Sequence, residues 1–240
     1  MGIDYYSAKW LKLHRNWNCK KILSIGRQNW WLSKRESHNL GILNPPTWGR
    51  QNYSDFFWNQ LGADCDTIDI VNDESPTYLG DLSDSNAIEK LKLTNKYDCV
   101  IDFGTAEHVA DQYSYWKNLW NALKMNGELY CILPADGMCG HGLYQYSPEF
   151  FKNMGGVKCE ELYYVIYGAV VRFKPANTNG RFQNNFKWPT YIAAKLVKNT
   201  DVFKLPVQFS GATIPLTKEK SWVKWAVEIP FVNTIKRIFI

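Results

Sequence analysis

Four short apolar segments constrain the fold of this 240-residue chain more than any other feature of its sequence. They are KKILSIG (20–26), DTIDIV (66–71), YDCVIDFGT (97–105) and GELYCILP (127–134). Their length, apolar character and bounding turn residues predict buried strands, with helical segments between them. Such strands pair in parallel and carry helices on both faces. The sequence therefore predicts an α/β protein with a Rossmann-like, mostly parallel sheet flanked by helices.

The segments between these strands carry helix signals. SDFFWNQLG (54–62) predicts a helix that Ser54 caps and Gly62 ends, and residues 106–123 predict a longer helix with Gly127 just past its end. DLSDSNAIEKLKL (81–93) predicts a turn and then a helix, with Ser83 or Ser85 as the cap.

One long segment lacks a clear periodicity. Residues 27–52 are polar and aromatic and contain NPPTWG, which predicts a loop or a broken helix. Because it directly follows the first strand, this segment is also a candidate lid over a ligand.

The last third of the chain has a different pattern. A short helix over SPEFFKNM (147–154) precedes ELYYVIYGAVVRF (161–173) and YIAAKLVKN (191–199), which predict antiparallel C-terminal edge strands. We expect residues 1–200 to form one domain and residues 201–240 a C-terminal extension docked on it. The alternative for the tail is a weak contact with a partner or a membrane surface.

Composition excludes several classes of protein. The chain is 45% hydrophobic and 21% charged, which argues against disorder. Its net charge of +5 is scattered along the sequence, so no dedicated nucleic-acid site is expected. The aromatic content of 15% is explained mainly by core packing. There is no apolar run of ~18 residues, no signal-peptide pattern and no CxxC pair, which together predict a cytoplasmic protein without a transmembrane span.

The predicted topology places a ligand site at one edge of the sheet. Open α/β sheets bind ligands beyond the carboxyl ends of their strands, near the switch in strand order. Gly26, Asp69, Phe103 and Pro134 lie at or near the ends of the four predicted strands, so we expect them to line one rim.

The stretch from the third to the fourth strand resembles the class I S-adenosylmethionine-dependent methyltransferases. The matching residues are Asp98, the EHV triplet at 107–109, Lys124, Gly127 and Pro134. HGLYQYSPEFF (141–151) resembles the segment that follows the last of these strands in the family. The resemblance runs roughly from residue 20 to residue 166. It implies that the cofactor is S-adenosyl-L-methionine.

The loop after the first strand departs from the family pattern. Ser24 replaces the strand's acidic residue, and the loop reads Gly26-Arg27-Gln28-Asn29-Trp30, with only the first glycine kept. Gly26, Arg27 and Gln28 are the candidate contacts to the methionine part of the cofactor. A guanidinium suits a carboxylate, so Arg27 can bind that group or, alternatively, an acidic acceptor.

The resemblance also implies the contacts to the nucleoside. Asp69 would accept hydrogen bonds from the ribose hydroxyls, with Asp73 and Glu74 as alternatives. Asp81 and Leu82 would contact adenine, through the exocyclic amine and the ring face respectively, although Asp81 also suits a capping role. Phe103 and Glu107 complete the predicted cofactor site.

Three residues are candidates for the chemistry. Asp102 lies at the mouth of the third strand, where a carboxylate would stabilise a sulfonium. His108 or His141 can remove a proton from an acceptor hydroxyl. We expect no metal site, because Cys139 and His141 alone supply too few ligands.

These residues predict methyl transfer to a small-molecule or sugar-like acceptor, with oxygen favoured as the methylated atom. The alternative is a non-catalytic binding module with the same fold. A nicotinamide-dependent oxidoreductase is disfavoured, since no GxGxxG follows the first strand.

Overall fold

The structure, a computed structural model, describes residues 2–14, 20–47, 49–166, 172–175 and 189–206. The strands are β1 (Gly2–Ile3), β2 (Lys21–Ile25), β3 (Asn29–Trp30), β4 (Gly49–Tyr53), β5 (Asp64–Asp69), β6 (Tyr78–Leu79), β7 (Tyr97–Asp102), β8 (Leu123–Pro134), β9 (Val157–Ile166), β10 (Arg172–Pro175) and β11 (Thr190–Lys198). The α-helices are α1 (Tyr5–His14), α2 (Lys34–Asn39), α3 (Asp55–Gln60), α4 (Ala87–Lys90), α5 (Gln112–Ala122) and α6 (Pro148–Lys152), and residues Ala106–His108 form a 3₁₀ turn.

The main sheet has eight strands in the order β10-β9-β11-β8-β7-β2-β5-β6. Strands β6, β5, β2, β7 and β8 are parallel to one another, and β11 pairs antiparallel with both β8 and β9. The predicted Rossmann-like, mostly parallel sheet with antiparallel C-terminal strands is thus confirmed. The chain leaves β2 toward β5 and β6, then returns to β7 on the other side of β2. The switch in strand order therefore lies between β2 and β7.

Alternate side chains of the strands bury on opposite faces of this sheet. Leu23 and Val100 join one core cluster with residues of α4, α5 and α6, whereas Ile22 and Ile101 join a second cluster with residues of α1 and α3. This two-residue period, apolar on both faces, is the physical basis of the continuous apolar runs in the sequence.

The segment over residues 27–52 is more ordered than the predicted loop or broken helix. It contains β3, the helix α2 and part of β4, and β3 lies between β1 and β4 in a small second sheet. Ser33 and Glu36 form a reciprocal capping box at the start of α2. Trp30 is fully buried against Phe56 and Phe57, with ring centroids 4.8 and 5.4 Å apart, so the segment packs on the body of the protein.

Several predicted boundaries need correction. The strand predicted at 66–71 begins two residues earlier, and the cap of α4 is Asn86 in place of Ser83 or Ser85. Gly127 does not follow a helix end directly. It lies inside β8, after Asn126 with a φ of +62°, where the pairing with β7 is irregular.

The C-terminal strands are antiparallel, as predicted, but their bounds and their order in the sheet differ from the prediction. The predicted strand over 161–173 is described as two antiparallel strands, β9 and β10. β11 lies between β8 and β9, so β9 and β10 occupy the edge.

Only the first residues of the predicted C-terminal extension fall within the described residues. There, Lys204 and Gly155 exchange backbone hydrogen bonds, and Phe203 contacts Trp120. The rest of the predicted extension, residues 207–240, lies outside the described residues. No helix among the described residues is long and apolar enough to cross a membrane.

Asn118 ties α5 to the turn that follows β6. Its buried amide donates to the carbonyls of Leu82 (3.0 Å) and Asp84 (2.7 Å) and accepts from the Ile88 amide (3.3 Å). We expect Asn118→Leu to lower the free energy of unfolding by ~2–4 kcal/mol, because it leaves buried backbone groups unpaired. Urea denaturation measures this, and half-buried Asn121→Leu on the same helix is the control. Equal losses in the two variants would contradict the assignment.

Candidate functional site

Three strand ends converge at Gly26, which is the centre of the rim. The Gly26 amide donates to the Ile68 carbonyl of β5 (2.8 Å), and the Thr105 hydroxyl after β7 donates to the Ile25 carbonyl (3.3 Å). Gly26 has a φ of +73°, which favours glycine. A Cβ atom built there would lie 3.5 Å from Thr105 Oγ1 and 3.8 Å from Asp69 Oδ2. The predicted meeting of strand tips is therefore present beside the switch point.

Gln28 fills the space beneath the loop after β2. Its side chain is buried, and Nε2 donates to the Ile25 carbonyl (3.0 Å). No described residue donates a hydrogen bond to its Oε1. A Cβ on Gly26 would lie 3.7 Å from Gln28 Nε2, so this amide belongs to the same rim. Ser24, which stands where the family has an acid, donates to the Gly26 carbonyl (2.8 Å).

The guanidinium of Arg27 is held by its own neighbours. Nε and Nη2 donate to Asp55 Oδ2 (3.3 and 3.1 Å), and Nη1 donates to the Glu74 carbonyl (2.8 Å). The guanidinium also lies over the Tyr53 ring, 4.1 Å from its centroid. These contacts connect α3 to the segment after β5.

The predicted nucleoside contacts lie on the β5–β6 side of the rim. Asp69 is half-buried at the end of β5, and its Oδ1 accepts from the Val71 amide (3.2 Å). Asp81 is exposed, and its Oδ1 accepts from both the amide and the hydroxyl of Ser83 (2.8 and 2.6 Å). Leu82 is buried in the core cluster that α5 covers.

Asp102 holds the loop after β7 together from inside the protein. Oδ1 accepts from the Gly104 and Thr105 amides (3.1 and 2.8 Å), and Oδ2 accepts from the Tyr115 hydroxyl (2.8 Å). Burial raises the pKa of Asp102 to about 6, although these hydrogen bonds oppose the rise. Phe103 is buried in the cluster that α1 and α3 cover. Both side chains therefore support the loop from the interior.

Glu107, His108 and His141 form a cluster at the mouth of β7, which we call the Glu-His cluster. His108 Nε2 and His141 Nε2 each lie 3.7 Å from Glu107 Oε1, and the two imidazole centroids are 5.6 Å apart. The Glu107 side chain is fully buried, whereas the imidazoles are about half exposed. The predicted catalytic histidines thus meet on one side of a buried carboxyl group.

Burial also shifts the pKa values of Glu107 and His108 in this cluster. It raises the pKa of Glu107 to about 8, and the negative charge of Asp102 adds to the rise. Burial and the neighbouring His141 lower the pKa of His108. No described residue donates a hydrogen bond to either Glu107 carboxylate oxygen.

A glycine loop brings His141 to this cluster. The amides of Leu143 and Tyr144 donate to the Glu107 carbonyl (2.7 and 3.2 Å). A Cβ on Gly142 would lie only 2.8 Å from Glu107 Cγ, so glycine is required for this close approach. Each of the three residues was a candidate from the sequence, but His141 follows His108 by 33 residues, and no spacing pattern indicates that the three lie together. Thr105 and Tyr115 were also missed, because their roles depend on contacts between separate strands and helices.

Comparisons with known proteins support the fold. By sequence, the chain matches no protein-family model and no curated protein. Among solved structures, a provisionally assigned methyltransferase from Bacillus halodurans has a TM-score of 0.50 at 13% identity, covering 83% of this chain and 100% of its own. A SAM-dependent methyltransferase from Archaeoglobus fulgidus has a TM-score of 0.43 at 14% identity, covering 81% of this chain and 100% of its own.

The likeness to the Bacillus protein establishes a shared fold. At 13% identity it carries no information about activity or site residues. Together with the strand order, it confirms the architecture predicted from the sequence, and the chain has the class I methyltransferase fold.

Tyr115→Phe tests the internal support of this rim. The variant removes a donor from the ionised Asp102 carboxylate, so we expect a loss of ~1–3 kcal/mol in unfolding free energy at pH 7.5. In the folded protein the pKa of Asp102 is about 6, above its ordinary value of 3.8. Ionisation of this carboxylate therefore lowers the free energy of unfolding as pH rises from about 3.8 through 6. The loss should therefore be smaller at pH 5, where most of Asp102 is protonated in the folded protein.

Denaturation at the two pH values measures this difference. Tyr113→Phe, an exposed tyrosine on the same helix, is the control and should change little at either pH. A Tyr115→Phe loss that is independent of pH would refute the role of the hydroxyl as a donor to a charged group.

Proposed function

We propose that this protein transfers the methyl group of S-adenosylmethionine to a small-molecule or sugar-like acceptor, at an oxygen atom. The observation that carries the proposal is the convergence at Gly26. There, a left-handed glycine without a side chain lies between Asp69, Gln28 and Thr105 at the switch point of a parallel sheet. Such a rim accepts an extended ligand with a nucleoside at one end and charged groups at the other.

The residues of the rim fit the groups of this cofactor. Asp69 offers carboxylate oxygens to the ribose hydroxyls, and Asp81, on the same side of the sheet, offers one to the adenine amine. The buried Gln28 Oε1 lacks a donor among the described residues and suits the α-ammonium group of the methionine part. Gly26 lets the ligand approach the main chain. The cofactor contacts predicted for Leu82 and Phe103 stay predictions. Both side chains are buried in the core.

Bound cofactor would supply a methyl group on a positively charged sulfur, which an acceptor oxygen attacks in line. The task of the chain is then to align the two reactants and exclude water, and alignment alone contributes ~7–11 kcal/mol. We place the acceptor hydroxyl against His108 and His141, the half-exposed face of the Glu-His cluster. One imidazole nitrogen there accepts the hydroxyl proton. Asp102 acts as a positioning residue, since its oxygens hold the loop that carries these groups.

One observation favours the alternative, a binding module without methyl transfer. Gln28 occupies the inside of the loop after β2, and Arg27 is already paired with Asp55 and Glu74. The loop is therefore more filled than a glycine-rich one. Under our proposal Arg27 fixes the wall of the site, and the methionine carboxylate is left to main-chain amides of the loop.

Calorimetry with S-adenosylmethionine and S-adenosylhomocysteine tests the proposal. We expect saturable binding of both, weakened ~10–100-fold by Asp69→Ala, because hydrogen bonds to a charged group are worth ~1.5–3 kcal/mol. Asp64→Ala, at the opposite end of the same strand, is the matched control and should bind normally. Well-folded protein that binds neither compound would support the binding module instead.

Comparing Gly26→Ala with Gly62→Ala distinguishes the effect of backbone strain on stability from the effect of a side chain in the proposed cofactor site. Gly26 and Gly62 both have positive φ values, +73° and +67°, so alanine at either position should cost ~1–2 kcal/mol of stability. Gly62 has no atoms within 4 Å of a built Cβ, whereas Gly26 lies among the rim groups. We expect the two variants to lose similar stability in urea, but only Gly26→Ala to lose cofactor affinity. Normal affinity in Gly26→Ala would place the ligand elsewhere.

A further inference from the structure

The Glu-His cluster has the donor set of a metal site. One nitrogen from each of His108 and His141 and one Glu107 oxygen all lie within 4.8 Å of one another. Nε2 of each imidazole lies 3.7 Å from the same carboxylate oxygen, Glu107 Oε1. This distance exceeds that of an ordinary hydrogen bond, so the three groups approach each other without being bonded to each other.

The carboxylate of Glu107 gives an independent indication of a ligand. Its side chain is fully buried, and neither oxygen accepts a hydrogen bond from a described residue. A buried, unpaired carboxylate is costly, and buried carboxylates are normally hydrogen-bonded, paired with a cation or bound to a metal ion. Because Oε1 lies next to both imidazoles, a cation between them and the carboxylate would give this oxygen a partner.

The main chain holds the three residues in place. Glu107 and His108 are adjacent in the 3₁₀ turn after β7, and the His108 amide donates to the Thr105 carbonyl (3.0 Å). The loop with His141 is fastened to the same turn by two hydrogen bonds from the Leu143 and Tyr144 amides to the Glu107 carbonyl. Gly142 allows this contact because a side chain there would collide with Glu107. The arrangement is therefore built into the backbone.

We propose that Glu107, His108 and His141 bind a divalent first-row transition-metal ion, with Zn²⁺ as the preferred ion. Imidazole ligands favour zinc and its neighbours over Mg²⁺ and Ca²⁺, which prefer oxygen. In a tetrahedral zinc site with bonds of about 2.0–2.1 Å, neighbouring ligand atoms are about 3.4 Å apart. The two separations of 3.7 Å between an imidazole nitrogen and Glu107 Oε1 are close to that value, and the two imidazole nitrogens lie within 4.8 Å of each other.

Three protein ligands leave one coordination position open. The exposed face of the two imidazoles provides access for the ion and for an oxygen ligand from solvent or an acceptor. Zinc sites with three protein ligands and an open position are typical of catalytic sites. A bound hydroxyl would have a lowered pKa, so the ion would replace an imidazole as the group that activates an acceptor. The metal site itself depends only on the three side chains and stands whether or not the chain transfers methyl groups.

Metal binding by the full-length protein tests the inference directly. After treatment with EDTA and removal of the chelator, we expect titration with Zn²⁺ in a calorimeter to show one saturable site per chain. Co²⁺ should give visible absorption of the intensity of a four- or five-coordinate site. Mg²⁺ should bind at least about tenfold more weakly than Zn²⁺, because imidazole is a poor ligand for it.

Three variants identify the ligands. Glu107→Gln, His108→Ala and His141→Ala should each weaken Zn²⁺ binding by at least ~10-fold, whereas His38→Ala, an exposed histidine on α2, should not. Because His141 is exposed, its variant is expected to fold normally, and circular dichroism checks this. Absence of saturable Zn²⁺ binding, or binding that persists in both Glu107→Gln and His141→Ala, overturns the proposal and leaves a metal-free acid–base cluster. Asp69→Ala separates the metal site from the cofactor site. This variant should lose cofactor binding and keep Zn²⁺ binding.

Discussion

The backbone turn at Gly26 is the constraint on which the rim of the sheet depends. It follows β2, and its amide donates to the Ile68 carbonyl of β5. It also lies next to the Thr105 hydroxyl, which donates to the Ile25 carbonyl of β2 from the β7 side. Parallel pairing brings the carboxyl ends of these strands to one edge, and the positive φ turns the chain away before it covers them. Asp69, Gln28 and Thr105 are arranged around this turn.

Burial of charge is the second theme of the structure. Asp102 and Glu107 are both fully buried, yet their environments differ. Asp102 accepts three hydrogen bonds and supports a loop, whereas Glu107 accepts none from the described residues and faces two imidazoles. A satisfied carboxylate stabilises the fold around it, and an unsatisfied one is retained at a cost that a ligand can offset. We therefore assign a positioning role to Asp102 and a binding role to Glu107.

Much of the fold was predictable because burial acts directly on sequence pattern. The strands β2, β7 and β8 are buried on both faces, which produces continuous apolar runs that are visible without coordinates. The segment over residues 27–52 was not predictable in this way. Its strands are two to five residues long, and its buried Trp30 depends on contacts with α3 that local periodicity does not encode. The position of β11 inside the sheet also depends on a non-local pairing.

The sequence by itself determined the α/β class, the strands whose ends form the rim, and the individual residues able to bind or react there. Only the tertiary structure decided which of them meet. It brought His141 next to Glu107 and His108, which precede it by 34 and 33 residues, paired Arg27 with Asp55, and placed Leu82 in the core. The physical reason is that side-chain chemistry and local periodicity are properties of short segments. Proximity is set by strand order and by close contacts such as that of Gly142 with Glu107, which only the folded chain contains.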